Sequence, residues 1–90
     1  MEEIIDKVEQ VLKRAFRGAT TELELVRPGG KIGGFLIWSG FEGVEQIDRQ
    51  RELARVIHEK LRAEDLSRLT TILTMTPEES AAMKESASAE

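Results

Sequence analysis

The chain has 90 residues, 40% of them hydrophobic and 33% charged, which is the composition of one small globular domain. It has no cysteine, and this excludes disulfide bonds, a thiolate nucleophile and a cysteine-held metal or cluster. A net charge of −4 argues against wholesale neutralisation of nucleic-acid phosphates. We see no apolar run long enough to span a membrane and no signal peptide, so we expect a cytoplasmic protein.

The first part of the chain predicts a helix followed by a strand. Apolar residues at i, i+4, i+7 and i+8 form one helical stripe over residues 3–16, and Gly18 is a natural end for that helix. Residues 20–26 then alternate, with Leu23 and Leu25 on one side and glutamates on the other. This alternation is typical of a strand that is buried on one face.

A glycine-rich loop separates this strand from a second one. Residues 27–30 have the composition of a turn, and residues 35–38 are apolar on both faces. We therefore predict a hairpin whose loop includes Gly29 to Gly34. If Phe35 and Ile37 face the helices, Leu36 and Trp38 face the open side of the sheet.

The second half of the chain predicts a helix, a strand and a final helix. Helical spacing runs from Val44 to about Arg62, as one long helix or as a short one that leads into a long one. The threonine-rich segment 69–75 favours a strand, and the sequence 76–79 is a helix start with Thr76 as the N-cap. We expect a single domain over 1–84 and a disordered tail over 85–90.

These elements give the order α-β-β-α-β-α. A three-stranded sheet with the major helices on one face is a two-layer α+β domain. Type II KH domains and BolA-like proteins share this order. Nothing resembles a catalytic set, because the chain has one histidine, no cysteine and no tyrosine.

Two motifs resemble the BolA-like family. In the first motif, Phe41-Glu42-Gly43 is followed after five residues by Arg49-Gln50-Arg51, and then by ten residues that end at Leu61. This segment resembles the family pattern Phe-x-Gly-x5-Arg-His-Arg, which is followed by a hydrophobic helix. The Thr-Pro-Glu-Glu sequence at 76–79 is similar to the end of that family's domain. The resemblance implies a non-enzymatic protein that binds a partner such as a monothiol glutaredoxin, shares a [2Fe–2S] cluster with it, or takes part in gene regulation.

The chain departs from that family at the positions that would hold the cluster. Gln50 stands where the family has a histidine, and Arg68 stands where it has a second one. The loop from 27 to 34 has neither cysteine nor histidine. An amide is a poor iron ligand and a guanidinium is a cation, so we expect no metal and no cofactor.

We therefore predict a protein-binding surface and keep two alternatives open. A KH-like module would bind nucleic acid through the arginines of the long helix, although the acidic residues between them also fit a solvated helix face. The sequence at 30–33 has the GxxG form of the KH loop, but it lies between two predicted strands, whereas the KH loop lies between two helices. A homodimer would form through Leu36 and Trp38 on the open sheet face. The candidate residues for a protein or nucleic-acid partner are Lys31, Gly33, Arg49, Gln50, Arg51, Arg55 and Arg68.

Overall fold

The computed structural model describes residues 3–26 and 29–88 of the chain. Over these residues it has the predicted α+β architecture, so the predicted fold class is confirmed. The helices are α1 (Glu3–Ala15), α2 (Gln46–Lys60), α3 (Ala63–Leu66) and α4 (Pro77–Ser88), and the strands are β1 (Thr20–Val26), β2 (Lys31–Ile37) and β3 (Leu69–Met75). A short 3-10 turn, Ser39–Phe41, precedes α2.

The three strands form one sheet in the order β1-β2-β3. β1 pairs with β2 in an antiparallel hairpin, and β2 pairs with β3 in parallel. Parallel neighbours need a crossover connection, and α2 supplies it. As a result α1 and α2 pack against the same face of the sheet.

The hydrophobic core lies between that face and the two long helices. Leu36 of β2 and Ile72 of β3 provide its sheet side. Aliphatic and aromatic side chains from the helices and the 3-10 turn complete it: Val8, Leu12, Phe16, Phe41, Leu53, Val56 and Leu61.

The prediction that Leu36 faces an open side of the sheet is wrong. Leu36 is fully buried in the core, whereas Phe35 beside it is half-buried on the opposite face. The hairpin register causes this, because Leu23 lies opposite Gly34 and Thr21 lies opposite Leu36. The side chains of Leu23 and Leu36 therefore point to the same face of the sheet.

Trp38, the other residue of the predicted dimer surface, is partly buried and packs against the core. Its ring makes edge contacts with Phe16 and Phe41, each with centroids 5.1 Å apart. Its Nε1–H donates to the carbonyl oxygen of Arg17 at 2.8 Å, just beyond the end of α1. The indole therefore joins the end of α1 to the 3-10 turn and satisfies its one donor.

The strand β2 begins four residues earlier than predicted, so most of the predicted glycine loop is strand. Gly34 pairs with Leu23 and has a φ of +144°, a conformation that favours glycine. The register against β3 shifts between Ile32 and Gly34, which marks a bulge. Residues 27 and 28 of the predicted turn lie outside the described residues.

Two further helical segments lie near the end of the chain. The segment between α2 and β3 contains the single-turn helix α3. The helical assignment of α4 continues to Ser88, into the segment 85–90 for which a disordered tail is predicted, and residues 89 and 90 lie outside the described part. Within 3–26 and 29–88, no helix is long and apolar enough to cross a membrane.

The buried position of Leu36 predicts a large cost for its truncation. Leu36→Ala should lower the free energy of unfolding by about 3 kcal/mol, because it removes fully buried methyl groups and leaves a cavity. Urea unfolding followed by Trp38 fluorescence measures this. The control Leu73→Ala truncates a leucine that is 46% exposed and should cost about 1 kcal/mol or less. Equal costs for the two variants would contradict the burial assigned to Leu36.

The close approach of β1 to Gly34 predicts that no side chain is accepted there. A Cβ at this position would lie 1.9 Å from the carbonyl oxygen of Glu22, so Gly34→Ala should lower the free energy of unfolding by at least about 3 kcal/mol. Gly30→Ala is the control, because a Cβ there meets no atom within 4 Å and the strain at positive φ costs about 1 kcal/mol. Urea midpoints of the two variants test this, and a Gly34→Ala as stable as the control would be inconsistent with the hairpin register.

Candidate protein-binding surface

The β1–β2 turn and the start of β3 meet at one end of the sheet. Arg68 Nη2 donates to the carbonyl oxygen of Gly30 at 3.1 Å, and the Ile32 N–H donates to the carbonyl oxygen of Arg68 at 2.7 Å. Lys31 follows Gly30 and is exposed, as is Arg68. Two of the predicted residues, Lys31 and Arg68, therefore form an exposed pair of cations, which we call the turn surface.

Gly33 shapes this end of the sheet but is itself buried. A Cβ at Gly33 would lie 2.9 Å from Thr70 Cγ2 and 3.2 Å from Val26 Cγ2. The glycine thus lets side chains of β1 and β3 approach each other across β2. The absence of a Cβ at Gly33 therefore permits this packing.

Arg49, predicted as a partner contact, is almost fully buried and makes its contacts within the fold. Its side chain is 6% exposed, and its Nε–H donates to the carbonyl oxygen of Val44 at 2.7 Å. Its Nη1 and Nη2 reach the two carboxylate oxygens of Glu79 at 2.8 and 3.3 Å. The guanidinium carbon also lies 5.7 Å from the centroid of the Phe41 ring. Arg49 therefore joins α2, the segment before it and α4.

The carboxylate that Arg49 binds also starts α4. Glu79 Oε1 accepts from the Thr76 N–H at 2.9 Å, and the Glu79 N–H donates to Thr76 Oγ1 at 3.1 Å. This reciprocal pair is a capping box, as the sequence 76–79 predicts. The hydrogen bond from Arg49, followed by that from the Thr76 backbone, holds the pKa of Glu79 below its usual value.

Arg51 and Arg55 lie on the exposed face of α2 and are paired within their own helix. Arg51 lies 3.7 Å from Asp48, and Arg55 binds both Glu52 and Glu59, the latter at 3.0 Å. The hydrogen bonds that Arg55 donates to Glu52 and then to Glu59 raise the pKa of Arg55. These i,i+3 and i,i+4 pairs fit a solvated helix face better than a basic strip that is free to bind phosphate.

Gln50 lies over the outer edge of β3. Its Nε2 contacts the carbonyl oxygen of Ile72 at 3.3 Å and Thr74 Oγ1 at 3.4 Å. Sequence reasoning missed the neighbouring Gln46, whose Nε2 donates to the Thr74 carbonyl at 2.9 Å and whose Oε1 accepts from the Thr74 hydroxyl at 2.8 Å. The signal available in the sequence was the spacing of the two glutamines, one helical turn apart.

A groove of about 240 Å³ opens beside Gln50, between α2 and the edge of β3. We call it the α2–β3 groove. Seven other residues line it: Leu53, Ala54 and Ile57 from α2, and Leu69, Thr70, Thr71 and Ile72 from β3.

The predicted residues thus fall into three separate places. Lys31, Gly33 and Arg68 lie at the turn end of the sheet, Gln50 lies over the edge of β3, and the arginines of α2 are either buried or paired along the helix. Within the described part of the chain, only the first two places present exposed polar side chains that are not paired with a carboxylate.

The side chains in this region do not fit an iron–sulfur cluster. The turn surface presents a lysine and an arginine, and Gln50 presents an amide, none of which is an ordinary iron ligand. The single histidine, His58, is exposed in the last turn of α2. Among the described residues no group of three or more histidine, aspartate and glutamate side chains is arranged to hold a metal ion.

Comparison with solved structures relates this fold to BolA-like proteins. The chain superposes on a Bol-like protein from Babesia bovis with a TM-score of 0.59 and 20% sequence identity, covering 88% of this chain and 91% of that one. The chain therefore has a BolA-like fold. No protein-family model and no curated protein sequence matches it.

The Arg49–Glu79 pair predicts a measurable pH dependence of stability. The pKa of Glu79 is lowered in the folded state. The stabilisation that ionised Glu79 gives to the fold is therefore fully present above about pH 4.3, the pKa of glutamate in an unfolded chain, and is lost as the pH falls through the folded pKa. Glu79→Gln should therefore lower the free energy of unfolding at pH 7, and should flatten its decline below about pH 5.

Urea titrations between pH 7 and pH 3 test this prediction. The matched control is Glu78→Gln, which changes the neighbouring exposed carboxylate and should keep the wild-type slope. Some slope should remain in Glu79→Gln, because hydrogen bonds from Lys7 and Arg55 also lower the pKa values of Asp65 and Glu52. A Glu79→Gln curve parallel to that of the wild type would contradict the prediction.

Proposed function

We propose that this chain is a non-enzymatic binding domain that docks a protein partner, of the monothiol glutaredoxin type, on the turn surface. The observation that carries the proposal is the juxtaposition of Lys31 and Arg68 through the Arg68–Gly30 hydrogen bond, in a BolA-like fold. The domain would supply no metal ligand of its own, because neither cation can coordinate iron.

The charges of the turn surface support docking of an acidic patch. In the described part of the chain, neither Lys31 nor Arg68 takes part in an ion pair, whereas Arg49, Arg51, Arg55 and Arg62 each do. Two exposed cations on a protein of net charge −4 would steer the approach of a partner with acidic groups and would fix its orientation.

A role in nucleic-acid binding has less support. The arginine strip of α2 has one buried member and two that are paired with carboxylates, so little free positive charge faces solvent there. The GxxG sequence at 30–33 runs into β2, whereas the KH loop needs a helix N-terminus aimed at the phosphates.

Charge reversal at the turn surface tests the proposal. The double variant Lys31→Glu/Arg68→Glu should weaken binding of a monothiol glutaredoxin by about tenfold in calorimetric titrations, because both steering charges change sign. Circular dichroism and urea midpoints check that the variant stays folded.

The matched control is Arg51→Glu, which reverses an arginine of α2 that is 73% exposed and is paired with Asp48, and should change affinity by less than about twofold. The proposal fails if the wild-type domain does not bind the glutaredoxin, or if the control weakens binding as much as the double variant. Salt-sensitive amide shifts at 49–55 on addition of a DNA duplex would favour the nucleic-acid function instead.

A further inference from the structure

We propose that a groove between α1 and α2 binds an acidic segment of a partner protein and seats an apolar side chain of that segment between Arg14 and Lys60. We call it the α1–α2 groove, and it is lined by Val11, Arg14, Ala15 and Lys60. This inference goes beyond the proposed function, because it concerns a different surface from the turn surface and a partner that need not be a glutaredoxin.

The α1–α2 groove lies where the last turns of two helices meet. Arg14 and Ala15 end α1, Lys60 ends α2, and the space between them has a volume of about 380 Å³. Val11 is half-buried and packs against the core, so it gives the groove an apolar floor. Because four residues line it, the groove can seat a side chain of a larger partner but cannot bury most of a small ligand.

The lining of the groove is positively charged. It contains two cations and no carboxylate. In the described part of the chain, neither Arg14 nor Lys60 takes part in an ion pair, and the neighbouring Glu59 is already bound to Arg55. Two like charges therefore face one groove without a counter-charge, and an anionic group placed between them is favoured.

The helix dipole accounts for cations at the ends of α1 and α2 but not for their convergence. Basic residues in a last turn offset the partial negative charge of a helix end, and they do so from any side of the helix. The segment 13–17 adds Lys13 and Arg17, which are exposed, and it has no acidic residue. The end of α1 is therefore a local positive region on a protein of net charge −4.

The positive charges and the apolar floor together favour an acidic peptide segment over nucleic acid. The positive region is small, so a long polyanion would be repelled by the acidic remainder of the surface. A phosphate backbone also has no apolar group to contact Val11. A segment in which acidic residues flank a leucine or a similar side chain satisfies both features, with its carboxylates near Arg14 and Lys60.

A peptide titration of the full chain tests this inference. The probe is a seven-residue peptide with blocked ends, leucine at its centre and glutamate at the other positions, added to isotopically labelled protein at low salt. Saturable amide shifts are expected at Val11, Arg14, Ala15 and Lys60. Replacing the glutamates of the peptide by glutamines should weaken binding by at least about tenfold, and replacing its leucine by serine should weaken it by about threefold.

Paired variants of the protein then locate the binding. Arg14→Gln/Lys60→Gln removes both cations of the groove and should weaken binding of the peptide by about tenfold. The matched control is Lys31→Gln/Arg68→Gln, which makes the same change in net charge at the turn surface and should change the affinity by less than about twofold. Urea midpoints check that both variants stay folded.

The absence of saturable shifts at the four lining residues, or equal weakening by the two paired variants, would overturn the inference. Weakening by Lys31→Gln/Arg68→Gln alone would also overturn it and would assign the acidic segment to the turn surface. Tighter binding of a DNA duplex at the same amides would overturn it in favour of nucleic acid. The titration contains no glutaredoxin, so its failure is independent of the charge-reversal experiment, and either proposal can stand without the other.

Discussion

The parallel pairing of β2 with β3 determines which side chains of this domain are buried. Because a parallel pair requires a crossover, α2 passes over one face of the sheet and meets α1 there. Leu36 and Ile72 point into the space between them, and the aromatic cluster closes one end. The other face keeps Phe35 half-buried and Leu73 exposed, so the molecule has one principal core and one thinly covered sheet surface.

The element order and the bounds of β1 and β3 could be predicted, because leucine–glutamate alternation and a threonine-rich run are strong local signals. The side of the sheet occupied by Leu36 could not. A slip of one residue between paired strands moves every side chain to the opposite face, and the glycines at the start of β2 give no alternation from which to read the register. The bulge between Ile32 and Gly34 adds an irregularity that no local pattern reveals.

The candidate site residues came from two separate signals. The glycine-rich loop pointed to Lys31 and the resemblance to BolA-like proteins pointed to Arg68, and the fold brings both to one end of the sheet. It also named Arg49, which lies on the same helical stripe as Leu53 and Val56 and is buried against a carboxylate thirty residues away. Helical spacing alone places this arginine on the core side of α2, but its ion pair with Glu79 depends on the packing of α4, which no local pattern gives.

The Arg49–Glu79 pair also constrains how this sequence can change over time. Replacing the arginine alone would leave the Val44 carbonyl and the Glu79 carboxylate without their shared donor, and replacing the glutamate alone would leave a guanidinium that is 6% exposed without its anion. Substitutions at the two positions are therefore tolerated best when they occur together. Coupled variation of positions 49 and 79 among related sequences would mark the contact between α2 and α4, and would separate this arginine from positions retained for the sake of a partner.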